Sequence, residues 1–207
     1  MTFDETKHHR APKGTREGGQ FTEGEWHDIN EDDFEELGDL SEDELNEMRD
    51  ETIYRPSGSE IDAVSAYCDR SYEEINAALR AGEDVGDGAG IVDEMDALFT
   101  KSELKQNIAT FRDVSRDFAE TLKTLKAGDR LKDDGFLSSS TNPDIEMRWG
   151  SGVKMKILVK KGTPAIIPAS WSHVSDEEDE VILPRGGALR YLGRSGANHL
   201  VLYEQAD

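Results

Sequence analysis

The segment Glu178-Asp179-Glu180-Val181-Ile182-Leu183-Pro184 sets two glutamates, two positions apart, just before an apolar run that reads as a strand. Alternation along a strand puts Glu178 and Glu180 on one face and Asp179 on the other. Two carboxylates on one face repel, so at least one is easier to protonate than a free glutamate. Such a pair suits a reaction in which one acid holds a substrate while the other stabilises developing positive charge. The competing reading is a solvated loop, because residues 176–180 read DEEDE in an acidic chain. Two further segments shift the balance. Thr110-Phe111-Arg112-Asp113-Val114-Ser115 carries an arginine in a short β-like stretch, and Gly135-Phe136-Leu137-Ser138-Ser139-Ser140-Thr141 runs a strand into four consecutive hydroxyls. Taken singly, these are a surface ion pair and a turn, the second supported by Ser140-Thr141-Asn142-Pro143. Taken in order, they supply a guanidinium, hydroxyls and carboxylates.

The elements that must position these groups are legible from period and caps. Ser41 with Glu44, and Ser71 with Glu74, have capping-box spacing ahead of apolar residues at helical intervals. Ser59-Glu60-Ile61-Asp62 opens a helix carrying Ile61, Val64 and Tyr67, Gly82 stops the helix that begins at Ser71, and further helices fit 91–99 and 115–126. Residues 83–90 form a glycine-rich acidic loop without the Gly-Lys-Ser or Gly-Lys-Thr of a phosphate loop. Later the period changes. Val153-Lys154-Met155-Lys156-Ile157 alternates strictly, and short strands fit 164–168, 180–184, 188–192 and 199–204. Helices first and strands later predict an α+β fold.

Composition bounds the rest. Of 207 residues, 33% are charged and the net charge is −21, which argues against nonspecific binding to nucleic acid or to an anionic membrane. The single cysteine, Cys68, excludes an internal disulfide and a cysteine-based zinc site. No run is apolar and long enough for a membrane helix, and the N-terminus lacks the apolar core of a secretory signal, so the expected compartment is cytoplasmic. Residues 23–51 hold fifteen acids against Arg49 alone, whereas residues 1–22 hold four Lys or Arg and three acids. This divides the chain into a flexible tail with an acidic segment over 1–51 and a globular domain over 52–207. His8 and His9 belong to the tail and have no partner at metal-site spacing.

The ordered set of Arg112, Ser138-Ser139-Ser140 and Glu178-Asp179-Glu180 resembles the mono-ADP-ribosyltransferase family, in the branch marked by an Arg, a Ser-Thr-Ser motif and a Glu-x-Glu motif. Clostridial binary toxin enzymes, vertebrate ecto-ADP-ribosyltransferases and phage enzymes belong to that branch. The resemblance covers roughly residues 60–205. It extends to Ser71-Tyr72-Glu73-Glu74-Ile75-Asn76 with Leu79-Arg80, to Asp134-Gly135-Phe136, and to Ser172-His173-Val174-Ser175 and Leu183-Pro184-Arg185-Gly186 around the third motif. Two positions depart from the family pattern: Asp113 stands where glycine is common, and Ser139 replaces the middle threonine.

The resemblance implies N-terminal helices packed on a two-sheet β-sandwich core, and cleavage of the nicotinamide–ribose bond of NAD without a metal. It implies catalytic roles for Arg112, Ser138, Glu178 and Glu180. It implies NAD contacts for Arg112, Asp113, Ser138, Ser139, Ser140 and Glu180. Glu180 would bind the ribose 2′-hydroxyl and stabilise positive charge at the anomeric carbon, and Arg112 would hold the pyrophosphate. Ser138 would hold the ribose and orient Glu180, and Ser140 would support the local turn. Glu178 would select the acceptor, because in this family Glu there accompanies arginine modification and Gln accompanies asparagine modification. A carboxylate binds a guanidinium and helps it lose a proton, which an amide does not. The implied partner is a target protein with a reactive arginine, in a host or a phage particle, the latter suggested by Arg16-Glu17-Gly18-Gly19-Gln20-Phe21. Trp171 and His173 fall in the expected substrate-recognition stretch, and Trp149 and Tyr72 are candidates to stack near nicotinamide or to pack in the core. Two alternatives stand beside transfer: hydrolysis of NAD, and a catalytically silent module whose acidic segment docks a basic partner.

Overall fold

Strands and helices in the computed structural model, which describes residues 28–144, 152–172 and 179–205, follow the α+β order. The chain divides at Asp33 and Phe34. Of the first unit only residues 28–33 are described, with a 3-10 turn at Glu31–Asp33. The second unit, from Phe34 onward, holds the remaining elements. These are β1 (Glu35–Glu36), α1 (Glu42–Thr52), α2 (Gly58–Ala66), α3 (Tyr72–Ala81), α4 (Ala89–Phe99), β2 (Ile108–Asp113), α5 (Arg116–Thr124), β3 (Arg130–Lys132), β4 (Leu137–Ser140), β5 (Lys154–Val159), β6 (Glu180–Leu183), β7 (Ala188–Ser195) and β8 (Asn198–Glu204).

The compact unit thus begins upstream of the boundary expected at residue 52, and the reason is apolar burial. Phe34 is buried, and Leu45 of α1 is 1% exposed in the same cluster as Ile108, Leu137 and Val181. The acids of α1 face outward on the opposite side of an amphipathic helix, which made the segment read as a tail. Ser41 and Glu44 form the expected capping box on α1. Leu45→Ala should cost about 2–5 kcal/mol, the usual range for a fully buried leucine. Denaturant unfolding of the whole chain checks this, and an unchanged midpoint would place α1 outside the cooperative unit.

Two other helix starts differ from expectation. Ser57, not Ser59, caps α2, in a reciprocal box with Glu60. Glu60 is buried and also takes Lys101 Nζ at 2.5 Å. The box expected at Ser71 and Glu74 does not form. Ser71 has helical backbone angles and no side-chain cap, because α2 runs on into α3 through a π-turn at Tyr67–Ser71, closed by the Tyr72 N–H donating to the Tyr67 carbonyl. The amides that Ser71 would cap are already committed within a continuous helix.

Among the described residues the strands form one hydrogen-bonded path, β3-β7-β8-β5-β2-β4-β6, with β1 parallel to the start of β2. The two sheets of the expected sandwich are therefore joined through β2. Both wings still feed one core. Met155 and Ile157 of β5, Val201 and Tyr203 of β8, and Val181 and Leu183 of β6 share a cluster, as strict alternation requires. The other face of β4 and β6 meets the helices: Phe136 and Ile182 pack with Val64, Tyr67, Ile75, Met95 and Leu98. Residues 164–168, expected as a strand, contribute one bridge, Ile166 to Ile182. No helix of the described residues is long and apolar enough to cross a membrane.

Candidate functional site

Three adjacent strands gather motifs that lie far apart in sequence. In β2, β4 and β6, Phe111 stands opposite Ser140, and Ser140 opposite Glu180. One rung therefore links the residue before Arg112, the end of the serine run and the first residue of β6. Two strand spacings separate the ends, about 10 Å. Arg112 Nη1 donates to the Ser138 carbonyl at 2.7 Å, which ties the arginine strand to the serine strand through a side chain. Arg112, Ser138 and Glu180 are each half-buried, so each presents part of its surface.

Alternation sorts the serines. Ser138 lies on the face shared with Phe136 and Ile182, toward the helices. Ser139 and Ser140 are buried. Ser139 Oγ donates to the Val181 carbonyl at 3.2 Å, and Ser140 Oγ accepts the Asn142 N–H at 3.0 Å. Ser140 thus closes the turn, and both hydroxyls are spent internally. Asp113 is also buried, and its Oδ1 accepts the N–H of Val114 at 3.0 Å. It holds the strand end, a place where a glycine would need no such carboxylate.

The glutamate pair requires a correction. Asp179 has φ of +46°, in the left-handed region, and β6 begins only at Glu180. Strand alternation therefore does not carry across residue 179 to place Glu178, which lies outside the described residues along with Trp149 and His173. Asp179 has structural contacts of its own. It is 4% exposed, its carbonyl accepts the Thr141 N–H, and its carboxyl is tied to the Leu40 amide and the Asn142 side chain. Burial, and then the Asp39 charge, push its pKa up.

The helices contribute residues that the motif pattern does not mark. The π-turn turns Tyr67 and Cys68 inward, both buried. Asn76 of α3 donates to Tyr67 Oη at 2.7 Å and accepts the Phe136 N–H at 2.8 Å. A single buried amide thus couples the tyrosine to the start of the serine strand. Gly135 is required beside it, since a Cβ there would come within 2.8 Å of Asn76 Oδ1 and 3.0 Å of Arg80 Nε. Burial, and then the Glu180 charge, push the Tyr67 phenol up, while Asn76 and Ser138 act in the opposite sense. Cys68 Sγ lies 3.4 Å from Glu180 Oε2. The visible signal for Asn76 is an amide beside Ile75 on the apolar side of α3. Tyr72 packs edge-on against Tyr67 at 6.5 Å between centroids, which places it with the core.

Arg112 also lines a cleft of about 560 Å³, with Arg80, Asp113, Lys132, Asp133, Asp134, Leu137 and Met155 among others; Ser138 and Glu180 are not among its lining residues. Arg80 grips Asp133 through two bonds, at 2.8 and 3.0 Å, and reaches the Phe136 carbonyl at 3.3 Å. Burial, and then the Arg80 cation, lower the pKa of Arg112, whereas Asp133, Tyr67 and Glu180 oppose them. Lys132 is likewise paired, with Asp134 at 2.5 Å, so the three cations suit a ligand with two neighbouring phosphates once its oxygens take the place of the Asp133 and Asp134 carboxylates. Trp171 sits under the Arg49 guanidinium at 4.7 Å and packs against the helical cluster, so it anchors the segment before residue 173. Among the described residues no group of three or more His, Cys, Asp or Glu side chains is arranged to hold a metal ion.

The family model described as ADP-ribosyltransferase exoenzyme matches residues 25–203. A curated relative, secreted exoenzyme S of Pseudomonas aeruginosa, is 31% identical over 108 residues, which cover 51% of this chain and 23% of that protein. The chain therefore spans about a quarter of that relative's length. Among solved structures, the Clostridium limosum C3 exoenzyme aligns with a TM-score of 0.67 at 22% identity, covering 87% of this chain and 100% of that one. C3stau2 from S. aureus, solved with NAD, gives 0.67 at 16% identity, over 84% of this chain and 100% of that one.

Proposed function

The chain belongs to the ADP-ribosyltransferase exoenzyme family, and on that premise we propose that it transfers ADP-ribose from NAD to an arginine side chain of a protein, releasing nicotinamide. The carrying observation is the rung from Phe111 through Ser140 to Glu180, which gathers the arginine, serine and glutamate motifs on neighbouring strands. Together with the Glu-x-Glu pattern, it favours the branch of the family marked by all three motifs.

Arg112, Arg80 and Lys132 rim a cleft of about 560 Å³, within the range of small-ligand sites, and they fit the pyrophosphate of NAD. To bind it, Arg80 exchanges the Asp133 carboxylate for phosphate oxygens. Ser138 offers the half-exposed hydroxyl of the serine run to the nicotinamide-side ribose, while buried Ser139 and Ser140 and the capping carboxylate of Asp113 serve that subsite through the backbone they fix. Glu180 faces the anomeric carbon. As the C–N bond to nicotinamide breaks, its electron pair leaves with the ring nitrogen, and the carboxylate stabilises the positive charge left on the ribose. An acceptor guanidinium nitrogen then bonds to that carbon, and Glu178 accepts the proton it sheds.

The test is incubation of the full chain with labelled NAD and either a protein mixture or a small guanidino acceptor, followed by mass spectrometry of the modified side chain. Arginine adducts are expected. Adducts confined to another residue type, or free ADP-ribose regardless of acceptor, would overturn the reading. Glu178→Gln should lower arginine transfer by roughly 10²-fold, the scale of a lost general base, and leave nicotinamide release near the wild-type rate.

A further inference from the structure

Glu180 is the first residue of β6 and follows a left-handed residue, Asp179, whose carbonyl accepts the Thr141 N–H, so its backbone is held on both sides. Its side chain has three rotatable bonds, and a carboxylate that must meet one carbon atom needs a fixed rotamer. The strand ladder does not supply that. Among the groups beside the carboxylate is a thiol, with Cys68 Sγ at 3.4 Å from Oε2.

Cys68 reaches that place through an unusual piece of backbone. The π-turn Tyr67–Ser71 inserts extra chain between α2 and α3, as π-bulges at functional sites often do. It directs Cys68 at Glu180 while the next residue, Asp69, accepts a bond from Ser172 Oγ at 2.9 Å. Asp69 also accepts from Ser65 at 3.3 Å, one turn earlier in the helix. Both bonds converge on Asp69, the residue after the cysteine, and tie the turn to α2 and to Ser172. A core cysteine that only filled space would need no such anchoring. Burial, and then the Glu180 charge and hydrogen bond, push the Cys68 thiol up, so the proton stays on sulfur and the group acts as a donor.

We propose that Cys68 is a positioning residue for Glu180: its S–H donates to Oε2 and fixes the carboxylate so that the other oxygen meets the ribose. This rests on the reading of Glu180 given above. The contact limits rotation of the carboxylate in the free protein and leaves the binding of NAD to the cations of the cleft.

Cys68 is the only cysteine of the chain, so the S–H infrared band belongs to it, and because Ser172 also borders the thiol the Glu180 contact is read from the change on substitution. In the full-length protein the band should lie at the frequency of a hydrogen-bonded thiol and move toward the free value in Glu180→Gln, whose amide is a weaker acceptor. Cys68→Ala should lower kcat for nicotinamide release about tenfold with KM for NAD unchanged, the scale of one modest hydrogen bond. Cys68→Ser, which keeps a donor of nearly the same size, should recover most of the rate, and melting curves of both variants separate rate from folding. A band indifferent to Glu180→Gln, an unchanged kcat in Cys68→Ala, or a rise in KM alone overturns the proposal while wild-type turnover leaves the site reading intact. Wild-type protein that releases no nicotinamide, whatever its band, overturns the reading of Glu180 and this proposal with it.

Discussion

Glu180→Gln should reduce nicotinamide release about 10³-fold in kcat, with KM for NAD within a few-fold and the fold unchanged. The magnitude follows from what the substitution removes. The amide keeps the size and shape of the side chain, so the β6 ladder and the packing of Ile182 and Val181 are untouched. Only the charge is lost, and it matters most when the ribose becomes cationic. A single preorganised electrostatic group in a partly dry site is worth about 3–4 kcal/mol in the barrier, or 10²–10³ in rate. The ground state should carry little of that, because the proposed site gives the phosphates to Arg80, Arg112 and Lys132, which line the cleft. The measurement is steady-state release of nicotinamide by both proteins, with circular dichroism and melting curves as the folding control. A kcat within tenfold of wild type would remove Glu180 from the reacting centre. A variant that melts far earlier would show the carboxylate to be structural.

How far the sequence anticipates this site depends on the kind of residue. Arg112, Ser138 and Glu180 were legible because charge and hydroxyl stand out against apolar strands, and their order matches a family pattern. Their meeting was not derivable from the segments themselves. It depends on the antiparallel registers of β2, β4 and β6, which long-range packing sets. Tyr67 reads as an apolar helix position and neither Cys68 nor Asn76 carries a sign of its own, and all three are buried. Their role comes from the π-turn, which a period of 3.6 does not predict and which depends on the fit of two helices against β4 and β6. Asp179 shows the opposite failure. Strand alternation set it on the face opposite Glu180, but its positive φ leaves it outside β6, which begins only at Glu180, and it is buried. The acidic segment was misread for a related reason. Fifteen acids between residues 23 and 51 hide the two apolar anchors, Phe34 and Leu45, that tie part of it to the sheet.

The second large effect is expected at Arg112. Arg112→Ala should lower kcat/KM for NAD about 10³-fold, because two functions go together. The guanidinium would give up the charge-assisted contacts to phosphate that the proposed site assigns to it, each worth about 1.5–3 kcal/mol. The bond to the Ser138 carbonyl at 2.7 Å also disappears, so the serine strand loses a tie to β2 beside the ribose subsite. Arg112→Lys separates the two. It keeps a cation but not the fork, and the charge it keeps is conditional. Burial, and then Arg80, already act against the charge on Arg112. Arginine withstands that, while lysine under the same burden loses its proton far more readily. With its pKa depressed, the lysine is charged below that value and neutral above it. Activity of Arg112→Lys should therefore be highest at the acid end of the profile and fall as pH rises, across a range where wild type gains or holds activity. The check is kcat/KM for NAD against pH for all three proteins. A Lys variant that tracks wild type at every pH would mean that the charge of Arg112 faces water, and that Arg80 and Lys132 alone hold the phosphates. An alanine variant with near-normal kcat/KM would move the pyrophosphate out of this cleft altogether.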